Sequence, residues 1–403
     1  TYKLVDGKPT QETSANMEKE DKIIKAFNTV YELAAILKGL TTNQAMSWGV
    51  VKNAHPGQSI QVLSRKKYEE QGRPKNAVAR TNEFFEWGAS GGVMMLDFDF
   101  KDVAMSQDEI IQRLYSIMPE LQESAFIWWC SSSSYIYNGD AQHSDLKGQR
   151  IYILVKDASD IERAGKVLFE RLWLAGYGHF EISKAGSLLT RSIIDSSVWQ
   201  PNRLDFISGA NCIAPMQQKR PEPDIHDGAH LDTAIVLKDL TAAEQAQVAA
   251  LKEKAKAKIS PEANAVKNQF IETTARKNLN FQRISSPSKE QLDQARETVK
   301  RAQKYDVLAS DFVIYLDDMT AVTVGEILSN PTKYNGKLTK DPLEPDYDGG
   351  RTVGRLYLLN GKPNLHSQAH GGKNYKLIDQ TASDTYSLDE IKYSSDKTAA
   401  EIL

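Results

Sequence analysis

Eight residues constrain this chain more than any others. Val93 to Phe100 reads Val-Met-Met-Leu-Asp-Phe-Asp-Phe, directly after Gly91-Gly92. In an extended strand, side chains two apart share a face. Asp97 and Asp99 therefore emerge together, while Leu96, Phe98 and Phe100 fill the other face. Two like charges at the end of a buried strand repel and lose hydration unless a cation sits between them. A hard divalent cation with oxygen ligands meets that need. The stretch reads as a metal-binding catalytic strand. The plainer alternative, an Asp pair that simply faces water, loses ground only because of what accompanies the pair further along.

The 403 residues allow two or three domains with a sizeable core. Hydrophobic residues make up 40% and charged residues 26%, which is ordinary for a soluble globular protein. A formal net charge of −3 excludes a polycation, yet it hides an asymmetry. From Leu251 to Lys304 there are thirteen Lys or Arg against six Asp or Glu, a local +7 that leaves −10 elsewhere. Cys130 and Cys212 are the two cysteines, too few for a disulfide framework or a Cys-rich zinc ribbon and suited to a reducing cytoplasm. No apolar run approaches the ~20 residues of a membrane span, and no signal-peptide pattern opens the chain.

Taken in order, Thr1 to Glu20 is polar and aperiodic. The spacing predicts a helix from Asp21 to Lys38 and a short second one over Thr41 to Val51. Gly57 to Arg80 is polar and basic, and Arg80 is kept as a phosphate contact because it lies just ahead of the Asp strand. Ser106-x-x-Glu109 resembles a capping box opening a helix to Ile117. Ala125 to Cys130 and Ile151 to Val155 read as buried strands, separated by Ser131 to Ser134 and a loop. A helix is expected from Asp160 to Ala175, a short strand from Gly178 to Ile182, and a further strand beside Arg191 and Asp195. Strands and helices mix without regular alternation, so the expected class is α+β.

Pro215 to Asp227 reads as a connection. Beyond it lie helices from Thr241 to Lys258, from Pro261 to Ala275, and from Ser288 to Lys304. This basic region is a candidate for nucleic-acid backbone contact, or equally a solvated Lys-rich face. A hairpin is expected at Asn360-Gly361. The resulting domains are 1–216, a catalytic domain; 217–305, a linker and basic helical region; 306–378, a small C-terminal α/β-hairpin module; and 379–403, a tail. His366 and His370 sit four apart across Gly371-Gly372, which favours a structural hairpin over a metal pair.

Nucleotide polymerisation needs two metal ions held by carboxylates. Asp97 and Asp99 offer two ligands, and Asp195, after Ile193-Ile194, is placed to offer a third from another strand. Triphosphate oxygens need hydroxyls in a tight turn and basic side chains. With these residues in view, the chain resembles the archaeo-eukaryotic primase superfamily, in its PrimPol-like branch of phages, plasmids and integrated mobile elements. Three motifs carry the resemblance over roughly Arg80 to Met216. They are Leu96-Asp97-Phe98-Asp99, then Ser131 to Ser134 with Gly148-Gln149-Arg150-Ile151-Tyr152, then Ile194-Asp195.

The resemblance implies a primase-polymerase core with a mixed or antiparallel, RRM-like sheet. It implies Mg²⁺ or Mn²⁺ on Asp97, Asp99 and Asp195, with Ser132, Ser134, Arg150, Lys184 and Arg191 binding the nucleotide. It also implies a single-stranded DNA template and primer, nucleoside triphosphates, and the cytoplasm of a bacterial or phage-infected cell. One departure stands out: where the family usually has His before the second-motif strand, this chain has Arg150, with His143 in the preceding loop. Arg150 can hold a phosphate bidentately but cannot donate a proton as His would. Leu365 to Tyr375 is similar to a stretch found ahead of the helicase in mobile-element primase-helicases. No Gly-x-x-x-x-Gly-Lys-Ser/Thr occurs, so an ATPase engine would lie beyond Leu403. Two other functions fit the same residues, namely a catalytically inactive replication-initiator module that binds origin DNA, and a metal-dependent nuclease.

Overall fold

The computed structural model describes residues 1–12, 19–88, 90–100, 105–359 and 361–379. The chain is mixed α and β, with several small sheets, and divides into two compact units. The first comprises 1–179 and 191–253; the second comprises 180–190 and the residues from 254 onward.

The Asp strand lies in a four-stranded sheet of the first unit. Its strands are β1 (Gly92–Asp99), β2 (Phe126–Cys130), β3 (Gly148–Val155) and β4 (Asp224–His226). The order is β4-β2-β3-β1, and every neighbouring pair is antiparallel. Helix α1 (Gln107–Ile117) follows β1 and helix α2 (Ile161–Leu174) follows β3. Since β3 stands between β1 and β2, this is a split βαβ arrangement. Local chemistry explains each piece. All five residues of β2, Phe-Ile-Trp-Trp-Cys, are buried, and their bulk suits a strand covered on both faces. Ser106 and Glu109 form the expected capping box, and Ile110 and Leu114, four apart, bury one side of α1. Beside β1, on the edge away from β3, no strand is found among the described residues. That edge is met instead by the segment 195–199: the Asp195 backbone N–H donates to Asp97 O (2.9 Å) and the Trp199 indole to Met95 O (3.0 Å).

Two expected helices are corrected. Lys19–Ile23 is a strand paired antiparallel with Ser59–Leu63, and the helix begins only at Val30, where Thr29 accepts from Glu32 N–H. Pairing with a distant strand outweighs the weak helical periodicity of Asp21 to Val30. Over Thr41 to Val51 there is no helix. Gly49 packs so closely on Pro201 that a Cβ would lie 2.3 Å from it, and Val50–Val51 pair with Phe85–Glu86. The domain expectation is also redrawn. Residues 217–253 join the first unit, and the basic region from Lys254 packs into the second. The expected tail lies, apart from Asp379, outside the described residues.

Helix α3 (Ala242–Phe281) runs unbroken through Pro261, where a break was expected. Ser260 Oγ donates to Lys256 O one turn back, while the carbonyl that loses its helical N–H partner to the proline is that of Ala257. In the second unit, α4 (Lys289–Tyr305) packs with a sheet of β5 (Val307–Leu308), β6 (Leu338–Thr339), β7 (Gly354–Tyr357), β8 (Asn364–Ser367) and β9 (Lys373–Leu377). The expected hairpin is β7 paired antiparallel with β8, with Gly361 at φ +77° in the turn. Ser288 caps α4 reciprocally with Gln291. Ser288→Ala is expected to cost about 1 kcal/mol of stability, read as a lowered denaturant midpoint.

A carboxylate and guanidinium cluster as the candidate active site

Strand register builds the site. Asp97 lies opposite Arg150, Asp99 opposite Gly148 and Met95 opposite Tyr152, while Trp129 of β2 faces Arg150 from the other side. Residues directly opposite in an antiparallel pair share a face. One face of the sheet therefore carries Asp97, Asp99, Arg150, Tyr152 and Trp129 together. Arg150 Nη2 stands 3.4 Å from Asp97 Oδ2, and Arg150 Nε stands 3.0 Å from Asp205 Oδ1. The Tyr152 hydroxyl donates to the other Asp205 oxygen at 2.7 Å. Asp205 is itself buried, pinned by paired backbone bonds to Met46, and Tyr152 is buried beside Trp48.

The electrostatics follow from this burial. Asp97's carboxyl is pushed up to about 6, first by desolvation; Arg150 opposes the shift, and Asp205, Asp195 and Asp99 add to it. For Arg150, burial disfavours the charge, but Asp205 and Asp97 outweigh it and hold the guanidinium protonated. Arg150 Nη1 is buried and makes no hydrogen bond among the described residues.

The remaining candidates separate. Asp195 is beside Asp97 through its backbone, but lies in the loop after the strand Leu188–Arg191, and its carboxylate accepts from Ser197 N–H (2.8 Å) and Ser197 Oγ (2.9 Å). The serine turn ties the end of β2 to the start of β3. Ser134 is fully buried, donates to Gly148 O and accepts from Lys147 N–H, so its hydroxyl shapes the turn instead of facing a ligand. Ser132 is partly exposed, and its hydroxyl makes no hydrogen bond among the described residues. Lys184 belongs to the second unit, where it is paired with Asp346 at 2.5 Å. Arg191 ends its strand four residues before Asp195. Arg80 is paired with Glu20 at 3.0 Å, and His143 sets its ring edge-on to Tyr2. His366 and His370 do not act as a pair: the first bonds Asn374, the second Glu344.

Asp205 and Arg220 were missed as neighbours of this face, whereas Tyr152 was already in the second motif. Arg220 stacks on the Trp129 ring at 4.1 Å and donates to Ile207 O and Cys130 O. It borders a pocket of about 280 Å³ lined also by Lys38, Trp129, Gln218, Pro221 and Glu222. A charged residue opening a buried strand, as Arg150 does, signals that a counter-charge must exist. Nothing local says that Asp205 is that counter-charge.

Among the described residues, no three His, Cys, Asp or Glu side chains stand in metal-ligating geometry. The expected convergence of three carboxylates is therefore met at the backbone and not at the side chains, because Arg150 and Ser197 hold the oxygens. Asp97 carries the added negative field of Asp205, Asp195 and Asp99, which a hard cation would relieve. Comparisons with protein-family models, with curated proteins and with solved structures find no match to this chain. No helix among the described residues is long and apolar enough to cross a membrane.

Proposed function

We propose that this chain is a DNA primase-polymerase, synthesising or extending primers from nucleoside triphosphates on a single-stranded template during replication of a mobile element. The observation that carries the reading is the bond from Asp195 N–H to Asp97 O, which sets the third acidic motif against the Asp strand on the edge away from Arg150. Asp97, Asp99 and Asp195 would hold Mg²⁺ or Mn²⁺, and bound ions would activate the primer hydroxyl and stabilise the leaving oxygen. The chain's own groups do the rest. Arg150 and Arg191 neutralise triphosphate oxygens, Arg150 with a fork suited to two oxygens at once. Ser132 supplies the turn's hydroxyl. The positive excess between Leu251 and Lys304 supports backbone-phosphate contact with template and primer, and a helicase domain or subunit is a further partner.

The Arg150–Asp97 pair favours one alternative, an initiator module that binds origin DNA and incorporates nothing, since a guanidinium already neutralises the central carboxylate. Incubating a labelled primer on a template with Mn²⁺ and each nucleotide set in turn separates the two. Lengthened primer supports the polymerase; salt-sensitive binding with no incorporation under any condition supports the module. Shortening of the strand without nucleotides would point to a nuclease.

The polymerase reading carries a pH expectation. A cation binds the ionised carboxylate, and Asp97 ionises only as pH rises through about 6. Mn²⁺ affinity is therefore expected to increase from pH 5 to pH 7 and then level off. Calorimetric titration at several pH values measures it.

A further inference from the structure

We infer that the open face of the second unit's five-stranded sheet binds single-stranded DNA, whose bases stack on Tyr357 and whose phosphates reach Arg355 and Lys376. The choice of DNA rests on the template of the polymerase reading. The surface itself needs neither the carboxylates of the first unit nor a metal.

The two faces of this sheet are unlike. Leu356, Leu365, Tyr375 and Leu377 are buried in the core with Val299 and Ala302 of α4. Alternation along each strand puts the intervening residues on the opposite face. Register then sets them side by side: Arg355 lies opposite both Leu338 and His366, Tyr357 opposite Asn364, His366 opposite Asn374, and Asn364 opposite Lys376. All of these are partly or fully exposed, and strands β6 to β9 place no carboxylate among them. Asp306, just ahead of β5, is already paired with Lys373 at 2.6 Å. Arg355 and Lys376 have no ion-pair partner among the described residues, and Arg355 Nε makes no hydrogen bond there. A cation without a carboxylate is available to a phosphate oxygen. The Arg355 guanidinium also lies 5.9 Å from the centroid of the Tyr357 ring. An aromatic ring beside a guanidinium accepts the face of any unpaired base, whereas a duplex keeps those faces inside its own stack. His366, bonded through Nδ1 to Asn374 at 2.8 Å, sets a second ring on the next strand. With strands about 4.8 Å apart, β6 to β9 span roughly 14 Å, room for about two or three bases.

Fluorescence anisotropy of a labelled oligothymidylate with the whole protein, in chelator and without nucleotide, tests this. Tyr357→Ala is expected to weaken binding about tenfold to a hundredfold, the effect of losing one stacked base, while Tyr357→Phe keeps the ring and stays within about twofold of wild type. Arg355→Gln and Lys376→Gln should each weaken binding and lower the slope of log affinity against log salt by about 0.7. Lys376 is exposed, so its variant serves if Arg355→Gln fails to fold. Photocrosslinking of an iodouracil-substituted strand to the wild type, mapped by peptide mass spectrometry, should mark Tyr357 or His366 even if the strand touches other surfaces. Wild-type affinity in a folded Tyr357→Ala, or crosslinks that avoid β7 and β8, overturns the surface; normal primer extension by the same protein leaves the polymerase reading standing. Excess duplex should not suppress the crosslink, and suppression overturns the selection of single strands. An oligouridylate that competes better than the oligothymidylate overturns the choice of DNA. A wild type that binds the strand on this face and incorporates nothing keeps the surface and removes the polymerase reading.

Discussion

Replacing Asp97 and Asp99 together by alanine is expected to reduce nucleotide incorporation by about a thousandfold or more, the scale of losing the groups that hold catalytic metal. The fold should survive. Burial raises the Asp97 carboxyl to about 6, above the ordinary ~3.9, so the folded state favours its protonated form. The stability this contributes is fully present below pH ~4 and is lost as pH rises through about 6, leaving an ionised carboxylate that costs about 3 kcal/mol near neutrality. Removing that carboxylate relieves the cost, and Arg150 keeps Asp205 as its partner. At pH 7.5 the denaturation midpoint of the double variant should equal or exceed that of the wild type, and the wild type should gain stability from pH 7 to pH 5 while the variant does not. Full incorporation by a folded double variant would end the polymerase reading.

The second large effect lies away from the carboxylates. Gly165 of α2 packs against the Trp199 indole so tightly that a Cβ would sit 2.2 Å from Cδ2 and 2.4 Å from Cε3. The ring is buried and has no flexible end to yield. Its N–H donates to Met95 O, and four residues earlier Asp195 N–H donates to Asp97 O, so the indole anchors the segment that carries the third carboxylate. Gly165→Ala should destabilise the first unit by about 1–3 kcal/mol through overpacking. It should also cut incorporation about a hundredfold, since misplacement of a functional group by roughly 1 Å is worth that much. Denaturant midpoint, indole fluorescence and primer extension read the three consequences. A variant with normal stability and unaltered activity would remove the proposed anchoring role of Trp199.

Much of the first unit was legible because its signals are local. The apolar runs at Val93, Phe126 and Ile151 became β1, β2 and β3, and the Ser106 and Ser288 capping boxes opened helices where expected. Where the chain from Asp21 to Val51 was misread, the deciding partner lay elsewhere. Ser59–Leu63 recruited Lys19–Ile23 into a sheet, and Pro201 took the space beside Gly49. The site divides in the same way. Spacing along a strand implied that Asp97 and Asp99 emerge on one face, and the order of motifs pointed to Asp195. Neither could reveal that Ser134 would be sealed inside its own turn, nor that Lys184 would pair with Asp346 in the other unit.

The sequence by itself determined which carboxylates and cations the chain can bring to one face, because the two-residue period of a strand and the geometry of a helix cap act over a few neighbouring residues. Only the tertiary structure decided what those charges do to one another. Arg150 is shared between Asp97 and the distant Asp205, and Asp195 turns to Ser197, in contacts whose strength depends on how much water burial removes.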